Sequence, residues 1–248
     1  MDILETDAYD RRQRRNMSCA LLFSLLPFFL STALYFYLWT PGMPASMVSA
    51  GVKSAPTFLL AAVVLSWNGS RNIPGVLGGL VFSAVGDCCL VWPELFLHGM
   101  GAFAVAHLLY SLTFLSSRYA ARPSSSGMRF LYLILCLIGG GFYIGVYPFL
   151  LKAQNADVLI PAVGVYVVLI TLMGILAIRT RHTPTLLGSL SFIVSDLSLA
   201  VQVFKVMPPT EHGSILVMTT YYLAQLLIAV GDIDAGKSKE SYPKWKRY

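Results

Sequence analysis

The chain has 248 residues, of which 56% are hydrophobic and 12% are charged, and its mean hydropathy is +0.67. A single soluble core cannot bury so much apolar surface, so the composition excludes a soluble globular protein and indicates a bilayer. The net charge of +6 does not indicate nucleic acid binding, because Lys and Arg lie mostly between the apolar blocks, where they set membrane topology.

The apolar blocks are roughly 20 residues long, which lets a helix cross about 30 Å of hydrocarbon. They predict an all-α integral membrane protein, because lipid cannot satisfy open backbone groups and the blocks lack the alternation of barrel strands. The eight predicted transmembrane helices, in chain order, are Cys19–Trp39, Ala50–Trp67, Ile73–Trp92, Leu95–Ser117, Phe130–Leu151, Val158–Ile178, Thr185–Phe204 and Ser214–Gly231. They form a transmembrane domain (residues 19–231) between a basic N-terminal segment (1–18) and a basic tail (232–248), which we expect to be disordered from Lys237.

The Lys and Arg residues outside the spans predict the orientation of the bundle. If the connections alternate between the two sides of the membrane, one side receives fifteen of these residues and the other only Lys152 and Lys205. Positively charged connections are retained in the cytosol. We therefore expect both termini to be cytosolic.

A few strongly polar residues lie within the spans and need an explanation. They are Lys53, Asp87, His107 and Asp196, accompanied by Tyr221, Tyr222 and Gln225 in the last span. An Asp at the centre of a span costs roughly 2.5 to 3.5 kcal/mol on insertion scales, so it is expected to face the bundle interior. A purely structural interpretation stays open: Lys53 and one Asp form an ion pair that fixes packing, and the other polar residues form interhelical hydrogen bonds. Asp232, at the end of the last span, is expected to be solvated.

Two short motifs suggest an internal repeat. Phe82-Ser-Ala-Val-Gly-Asp-Cys-Cys-Leu90 in the third span and Phe192-Ile-Val-Ser-Asp-Leu-Ser-Leu199 in the seventh share a small residue, an Asp, two further residues and a Leu. Four spans separate the copies, so the two run parallel. This favours a parallel repeat of four plus four spans, unlike the inverted repeats of many transporters.

Six segments carry a resemblance to a known family, and they run in order from the second span to the eighth. They are Val52–Pro56, Phe82–Trp92, Phe103–Tyr110, Gly164–Tyr166, Ser195–Ala200 and Met218–Leu227. In these segments the sequence resembles the YhhN-like lysoplasmalogenase family of multispan membrane proteins. The resemblance implies a hydrolase of the endoplasmic reticulum membrane that cleaves the vinyl ether bond of lysoplasmalogens. The products would be a fatty aldehyde and glycerophosphoethanolamine or glycerophosphocholine.

The resemblance also implies site residues. Asp87 and Asp196 occupy the positions of the two motif aspartates of the family and are the expected catalytic residues. The residues expected to bind substrate or support the site are Lys53, His107, Tyr110, Tyr221, Tyr222 and Gln225. The expected partners are a lysophospholipid substrate and membrane lipids. No cofactor or metal is expected, because two buried acids without a His cluster make a poor transition-metal site.

The chemistry of the two aspartates fits this reaction. A vinyl ether is hydrolysed by protonation on carbon, capture of the oxocarbenium ion by water and collapse of the hemiacetal, so the site needs an acid and a base. Two carboxyl groups in a low-dielectric site cannot both ionise cheaply, so one is expected to keep its proton while the other stays charged near Lys53. We assign Asp196 as acid and Asp87 as base, and the reverse assignment stays open.

Two other classes of protein also fit the intramembrane polar residues. A proton-coupled transporter or channel uses Asp, His and Lys in its proton relay, and a non-catalytic lipid-binding protein could bury the same groups. The enzyme interpretation predicts one cavity lined by the third, seventh and eighth spans. Asp87 and Asp196 would share it, and an apolar extension would hold an alkenyl chain.

Overall fold

The computed structural model describes residues 3–38, 44–69, 73–119, 126–208 and 212–241. The elements in those ranges are helical, which confirms the all-α fold. The helices are α1 (Ile3–Leu38), α2 (Met47–Asn68), α3 (Gly78–Cys89), α4 (Phe96–Leu115), α5 (Ser126–Leu150), α6 (Ala156–Thr180), α7 (Thr183–Val203) and α8 (Gly213–Ser241). A π-helical turn, Ile73–Leu77, leads into α3, and a 3-10 turn, Pro93–Leu95, leads into α4.

Each predicted span falls on one of these helices. In the described part of the chain, seven helices are long and apolar enough to cross a bilayer, and α3 with the end of its π-turn forms a shorter apolar helix, Gly75–Cys89. Large apolar side chains also cover the outer faces of the bundle, as with Phe23 at 71% exposed and Ile144 at 73%. Only lipid can cover such a surface without penalty. The chain is a multi-pass membrane protein.

Helix ends differ from the prediction in the third span. We expected that span to continue to Trp92, but α3 ends at Cys89. Pro93 is the reason, because a proline disfavours the helical conformation in the residue before it. Trp92 accordingly has extended backbone angles, φ −104° and ψ 120°.

The two terminal segments are more helical than expected. Helix α1 begins at Ile3, and α8 continues to Ser241, so residues 237–241 of the tail are helical and the prediction of disorder from Lys237 was wrong there. Extending an existing helix is far easier than nucleating one, which lets a long transmembrane helix continue into a polar segment. Trp39, the predicted end of the first span, and tail residues 242–248 lie outside the described residues.

The contacts between helices repeat in the two halves of the chain. In the first half α1 packs on α2, α2 on α3 and α3 on α4, and in the second half α5 packs on α6, α6 on α7 and α7 on α8. If α1–α4 are matched to α5–α8 in order, the contact of α2 with α8 corresponds to the contact of α6 with α4, and both are present. This is the pattern that a parallel repeat of four plus four helices predicts.

Two glycines bring α3 and α4 close together at the centre of the bundle. A Cβ atom on Gly86 would lie 2.6 Å from Cε2 of Phe103, and one on Gly79 would overlap the ring of Tyr110. The close approach places the α3 aspartate, Asp87, beside the aromatic core. Phe192 of α7 is fully buried in the same core.

Candidate active site

A cavity of about 460 Å³ opens near one end of the bundle, and its size is typical of small-molecule sites. Trp92 and Pro93 of the α3–α4 connection, Ala153 of the α5–α6 connection and Phe204 at the end of α7 contribute to its wall. We call this the cavity end of the bundle. The polar side chains on the wall are Lys53, Asp87, Ser195, Asp196 and Tyr221.

The structure therefore brings four of the predicted site residues to one cavity: Lys53, Asp87, Asp196 and Tyr221. They come from α2, α3, α7 and α8, which include the three predicted helices. Phe103 of α4 and Leu159 of α6 also line the cavity. A smaller apolar recess of about 60 Å³ adjoins the cavity and shares Asp196, Phe103 and Phe204 with it. Its remaining wall is mostly apolar and comes from α4, α5, α6 and α7.

The Asp87 centre combines one carboxyl group with two hydroxyl groups. Tyr221 of α8 donates a hydrogen bond to Asp87 Oδ2 at 2.7 Å, and Thr57 of α2 donates to the same oxygen at 3.2 Å. The Thr57 and Tyr221 hydroxyl groups are themselves 3.2 Å apart. Asp87 is 1% exposed, so these contacts replace the water that a carboxyl group would have at the surface.

The Asp196 centre combines a carboxyl group with one hydroxyl group and one imidazole. Tyr166 of α6 donates to Asp196 Oδ2 at 2.6 Å, and His107 Nε2 of α4 lies 3.1 Å from the same oxygen. His107 Nδ1 is buried with no hydrogen-bond partner among the described residues. This geometry favours the tautomer with hydrogen on Nε2, which donates to the carboxyl group.

The two centres are equivalent under the exchange of the two halves. Asp87, Thr57 and Tyr221 lie on α3, α2 and α8, and their counterparts Asp196, Tyr166 and His107 lie on α7, α6 and α4. Asp87 and Asp196 are 109 residues apart in the chain, and so are Thr57 and Tyr166.

One buried phenyl ring links the two centres. The centroid of the Phe192 ring lies 4.7 Å from that of His107 and 5.6 Å from that of Tyr221, both edge-on. The aromatic partners of the two carboxyl groups therefore pack on the same ring.

The other predicted supporting residues lie away from the cavity wall. The Tyr110 hydroxyl donates to Gln225 Oε1 at 2.7 Å and lies 3.4 Å from Ser83 Oγ, in a separate buried network that joins α3, α4 and α8. Tyr222 donates from its hydroxyl to the backbone carbonyl of Lys53 at 2.7 Å. Tyr222 thus positions the cavity lysine, whereas Tyr110 and Gln225 hold helices together.

The purely structural interpretation predicted a direct ion pair between Lys53 and an aspartate, and the described residues do not contain one. The ion pairs in the described ranges join His107 to Asp196, Arg118 to Asp232 and His182 to Asp234, and Lys53 takes part in none of them. Nor does that part of the chain hold a group of three or more His, Cys, Asp or Glu side chains that could bind a metal.

The expectation that Asp232 is solvated was wrong. Asp232 is 1% exposed, and its carboxylate accepts from Arg118 Nη1 at 2.6 Å and from Asn68 Nδ2 at 2.7 Å. Asn68 ends α2, Arg118 follows the end of α4, and Asp232 lies in the second half of α8, all on the side of the bundle away from the cavity. The helix ends converge there, so a residue that follows the apolar block in the sequence is covered by its neighbours. We call this cluster the terminal lock.

Sequence reasoning missed two hydroxyl partners of the carboxyl groups, Thr57 and Tyr166. Both lie in mainly apolar helices, where one Thr or Tyr adds little to the polarity of the helix. A signal was present, because Thr57 follows the Val52–Pro56 segment directly and Tyr166 ends the Gly164–Tyr166 segment. Thr57 and Tyr166 are separated by 109 residues, as the two aspartates are, and this equal spacing would have identified them as partners of the carboxyl groups.

The fold and the cavity define a multi-pass membrane protein with two hydrogen-bonded carboxyl groups, one buried and one partly buried, on one cavity within the helix bundle. The model of the YhhN family matches residues 48–231, and the chain belongs to this family. The match covers α2 to the greater part of α8 and therefore both carboxyl centres. It confirms the resemblance seen in the sequence segments.

Curated relatives cover most of the chain. Bovine lysoplasmalogenase TMEM86A is 36% identical over 235 residues, which are 88% of this chain and 92% of the relative. Lysoplasmalogenase TMEM86B of pig is 36% identical over 218 residues, covering 87% and 88% of the two chains. A lysoplasmalogenase of Mycobacterium tuberculosis is 28% identical over 192 residues, covering 75% and 70%. No solved structure matches the chain.

Proposed function

We propose that the protein is a lysoplasmalogenase, a membrane hydrolase that cleaves the vinyl ether bond of a lysoplasmalogen to a fatty aldehyde and a glycerophospho-alcohol. The family match over residues 48–231 includes the helices that build the cavity, and the animal and bacterial lysoplasmalogenases align with 75% to 88% of the chain. The observation that carries the proposal is that Asp87 and Asp196, from two equivalent centres, line one cavity.

The hydrogen bonds at each centre leave one carboxyl oxygen for chemistry. At both aspartates the described partners bind Oδ2, while Oδ1 has no hydrogen-bond partner among the described residues. A proton on Oδ1 is compatible with donors at Oδ2, so either carboxyl group can act as an acid in this arrangement. Fixed donors at Oδ2 also hold the side chain in one orientation, which efficient proton transfer requires.

The reaction needs one acid and one base, and the two centres supply them. Asp196 protonates the β-carbon of the vinyl ether, which is the double-bond carbon not attached to oxygen, and an oxocarbenium ion results. Asp87 removes a proton from the water that attacks this ion, giving a hemiacetal. Asp87 then returns that proton to the leaving glycerol oxygen while Asp196 takes the hemiacetal hydroxyl proton. The carbon–oxygen bond breaks, and both aspartates regain their starting states with one water consumed.

The assignment of base to Asp87 rests on Lys53. Lys53 lies on α2, which packs against α3, the helix that carries Asp87, and both residues line the cavity. An ionised carboxylate in a low-dielectric site needs a nearby positive charge. The apolar recess beside Asp196 suits the first carbons of the alkenyl chain, because it lies next to the group that protonates the chain carbon.

Release of aldehyde by purified protein in detergent tests the proposed function. A micellar alkenyl lysophospholipid should yield one aldehyde per molecule consumed, and the saturated alkyl analogue should yield none. A transporter would need a sealed vesicle and a gradient, and a non-catalytic lipid-binding protein would release nothing in either preparation. Absence of aldehyde from folded, monodisperse protein would overturn the proposal.

We further propose that the protein lies in the endoplasmic reticulum with both termini cytosolic, so that the cavity end faces the lumen. The support is the distribution of Lys and Arg outside the spans. Only Lys152 and Lys205 lie in connections at the cavity end, and the other fifteen lie on the opposite side, which is the cytosolic one by this criterion. Tags on either terminus should be accessible to antibody after permeabilisation of the plasma membrane alone. The sequons at Asn16 and Asn68 should carry no glycan. A glycosidase-sensitive shift abolished by Asn68→Gln would reject this orientation.

A further inference from the structure

We propose that the Lys53 ammonium binds the phosphate of the lysophospholipid headgroup, at the junction between the cavity and a polar vestibule beside it. The proposal rests on the proposed function, because it assigns a subsite for the same substrate. It adds a phosphate-binding residue to a site whose two carboxyl groups account only for the chemistry.

The vestibule is a second space of about 230 Å³ that meets the cavity at Lys53. The two spaces share Lys53, Leu199, Val217 and Met218. The vestibule wall also carries hydroxyl and amide groups, from Tyr35, Ser49, Gln202 and Ser214. Among the described residues that line either space, Lys53 alone is positively charged, and those that line the vestibule include no carboxyl group. The vestibule therefore suits an anion, and the cavity beyond it does not.

The order of the three spaces matches the order of groups in the substrate. The recess adjoins Asp196, the cavity contains both aspartates, and the vestibule begins at Lys53. In a lysoplasmalogen the apolar chain, the vinyl ether, the glycerol and the phosphodiester follow one another in the same order. A chain in the recess and an ether bond between the carboxyl groups therefore direct the phosphate towards Lys53.

The backbone of Lys53 is fixed by a hydrogen bond, whereas its ammonium group forms no ion pair with a described carboxylate. Its backbone carbonyl accepts the 2.7 Å hydrogen bond from Tyr222, whose ring packs edge-on against Tyr35 at 5.5 Å between centroids. The described ion pairs leave its ammonium group without a carboxylate within 4.0 Å. A lysine within a membrane span is expensive and marks a functional site, and lysine binds phosphate well as a point charge.

A different role for Lys53, as counter-charge for Asp87 alone, makes a separable prediction. A counter-charge affects every ligand of the cavity equally, whether or not the ligand carries a phosphate. A phosphate-binding residue affects only phosphorylated ligands. Equilibrium binding of non-hydrolysable ligands therefore distinguishes the two roles, and it does so independently of turnover.

The experiment compares two saturated ether ligands with the same alkyl chain, 1-O-alkyl-glycerophosphocholine and 1-O-alkylglycerol, bound to purified protein in detergent. Wild type should bind the phosphorylated ligand at least about 10-fold more tightly. Lys53→Met should lose this preference while it still binds alkylglycerol, which also shows that the variant is folded. Lys53→Arg should keep most of the preference. Lys152→Met, which removes an exposed lysine at the same end, is the matched control and should behave as wild type.

A phosphate preference that survives Lys53→Met, or no preference in wild type, overturns the proposal. Equal loss of affinity for both ligands in Lys53→Met also overturns it and supports the counter-charge role. Glycerophosphocholine and inorganic phosphate distinguish a lipid subsite from a site for free phosphates, and either one binding as tightly as the alkyl lipid overturns the lipid assignment. If the proposed function fails, wild type releases no aldehyde while these binding results stand on their own.

Discussion

The Asp87 and Asp196 centres share one geometry but have different chemical partners. Each carboxyl group receives its hydrogen bonds on Oδ2. One donor lies on the preceding helix, α2 or α6, and the other lies on a helix of the opposite half, α8 or α4. The Asp87 centre has two hydroxyl donors and lies on the helix next to that of Lys53, whereas the Asp196 centre has one hydroxyl donor and an imidazole. A repeated frame thus supplies two carboxyl groups, and in the proposed reaction their different partners suit them to different tasks.

The difference matters because hydroxyl groups and imidazoles do different things for a carboxyl group. The Thr57 and Tyr221 hydroxyl groups orient Asp87 and keep their own protons at neutral pH. The His107 imidazole donates to Asp196 through Nε2 and keeps a second ring nitrogen, Nδ1, as an acceptor. In the proposed reaction Asp196 regains its proton from the hemiacetal hydroxyl group, so it must meet the substrate directly. Asp196 is also the more exposed of the two, with its side chain 11% exposed against 1% for residue Asp87.

The largest expected effect comes from removing the proton-transfer capacity of either centre. Asp87→Asn and Asp196→Asn keep much of the shape of the carboxyl group but cannot exchange its proton at neutral pH. Each is expected to lower aldehyde release at least about 100-fold, or roughly 2.7 kcal/mol of barrier. Cys88→Ala, next to Asp87, should retain most activity. Near wild-type turnover in either Asn variant would remove that aspartate from the acid and base pair, and loss of folding in both would favour a structural role.

A smaller effect is expected when one donor to each carboxyl group is removed. Tyr221→Phe and Tyr166→Phe delete a hydroxyl group and keep the ring, so each should lower kcat about 10-fold through loss of one hydrogen bond to a carboxyl group. Steady-state aldehyde release measures this. If only one of the two variants is affected, the two centres do not contribute equally to turnover.

Tyr110→Phe is the matched control for that pair. It deletes the same group from a tyrosine that bonds Gln225 away from the cavity wall. Turnover should stay within about 3-fold of wild type, while thermal stability falls because a buried amide oxygen loses its donor. A 10-fold loss of turnover here would show that hydrogen bonds throughout the core, and not the two centres, control the rate.

The smallest effect on turnover is expected at the terminal lock, far from both centres. Arg118→Met leaves Asp232 buried without its cation, which should lower the melting temperature of the purified protein. Its kcat at a temperature where the variant is folded should stay within about 2-fold of wild type. A large loss of kcat at unchanged stability would show that the lock acts on the cavity.

The sequence predicts the membrane-spanning helices and the ionisable residues of the two centres and the cavity, because both stand out in an apolar chain. Asp87, Asp196, His107 and Lys53 are conspicuous because charge is costly in lipid. Their partners are not, since Thr57 and Tyr166 add little polarity to their helices and acquire their contacts only through packing.

The same limit explains the residues that sequence reasoning misplaced. Tyr110 and Gln225 share a helix face with true cavity residues, but the close approach of α3 to α4 directs them into a separate network. Asp232 follows the last apolar block and therefore resembled a solvated residue. Which side chains cover it depends on how the ends of three helices meet, which spacing along one helix cannot show.

In the proposed mechanism the two centres act as one acid and base pair on one substrate. A double-mutant cycle on aldehyde release distinguishes this from two independent contributions. Residues that act as a unit are not additive, so the Asp87→Asn and Asp196→Asn double variant should be at most about 3-fold slower than the slower single variant. Two independent contributions would multiply instead, giving a loss on the order of 10,000-fold. That multiplicative result, in folded protein, would contradict a shared catalytic site.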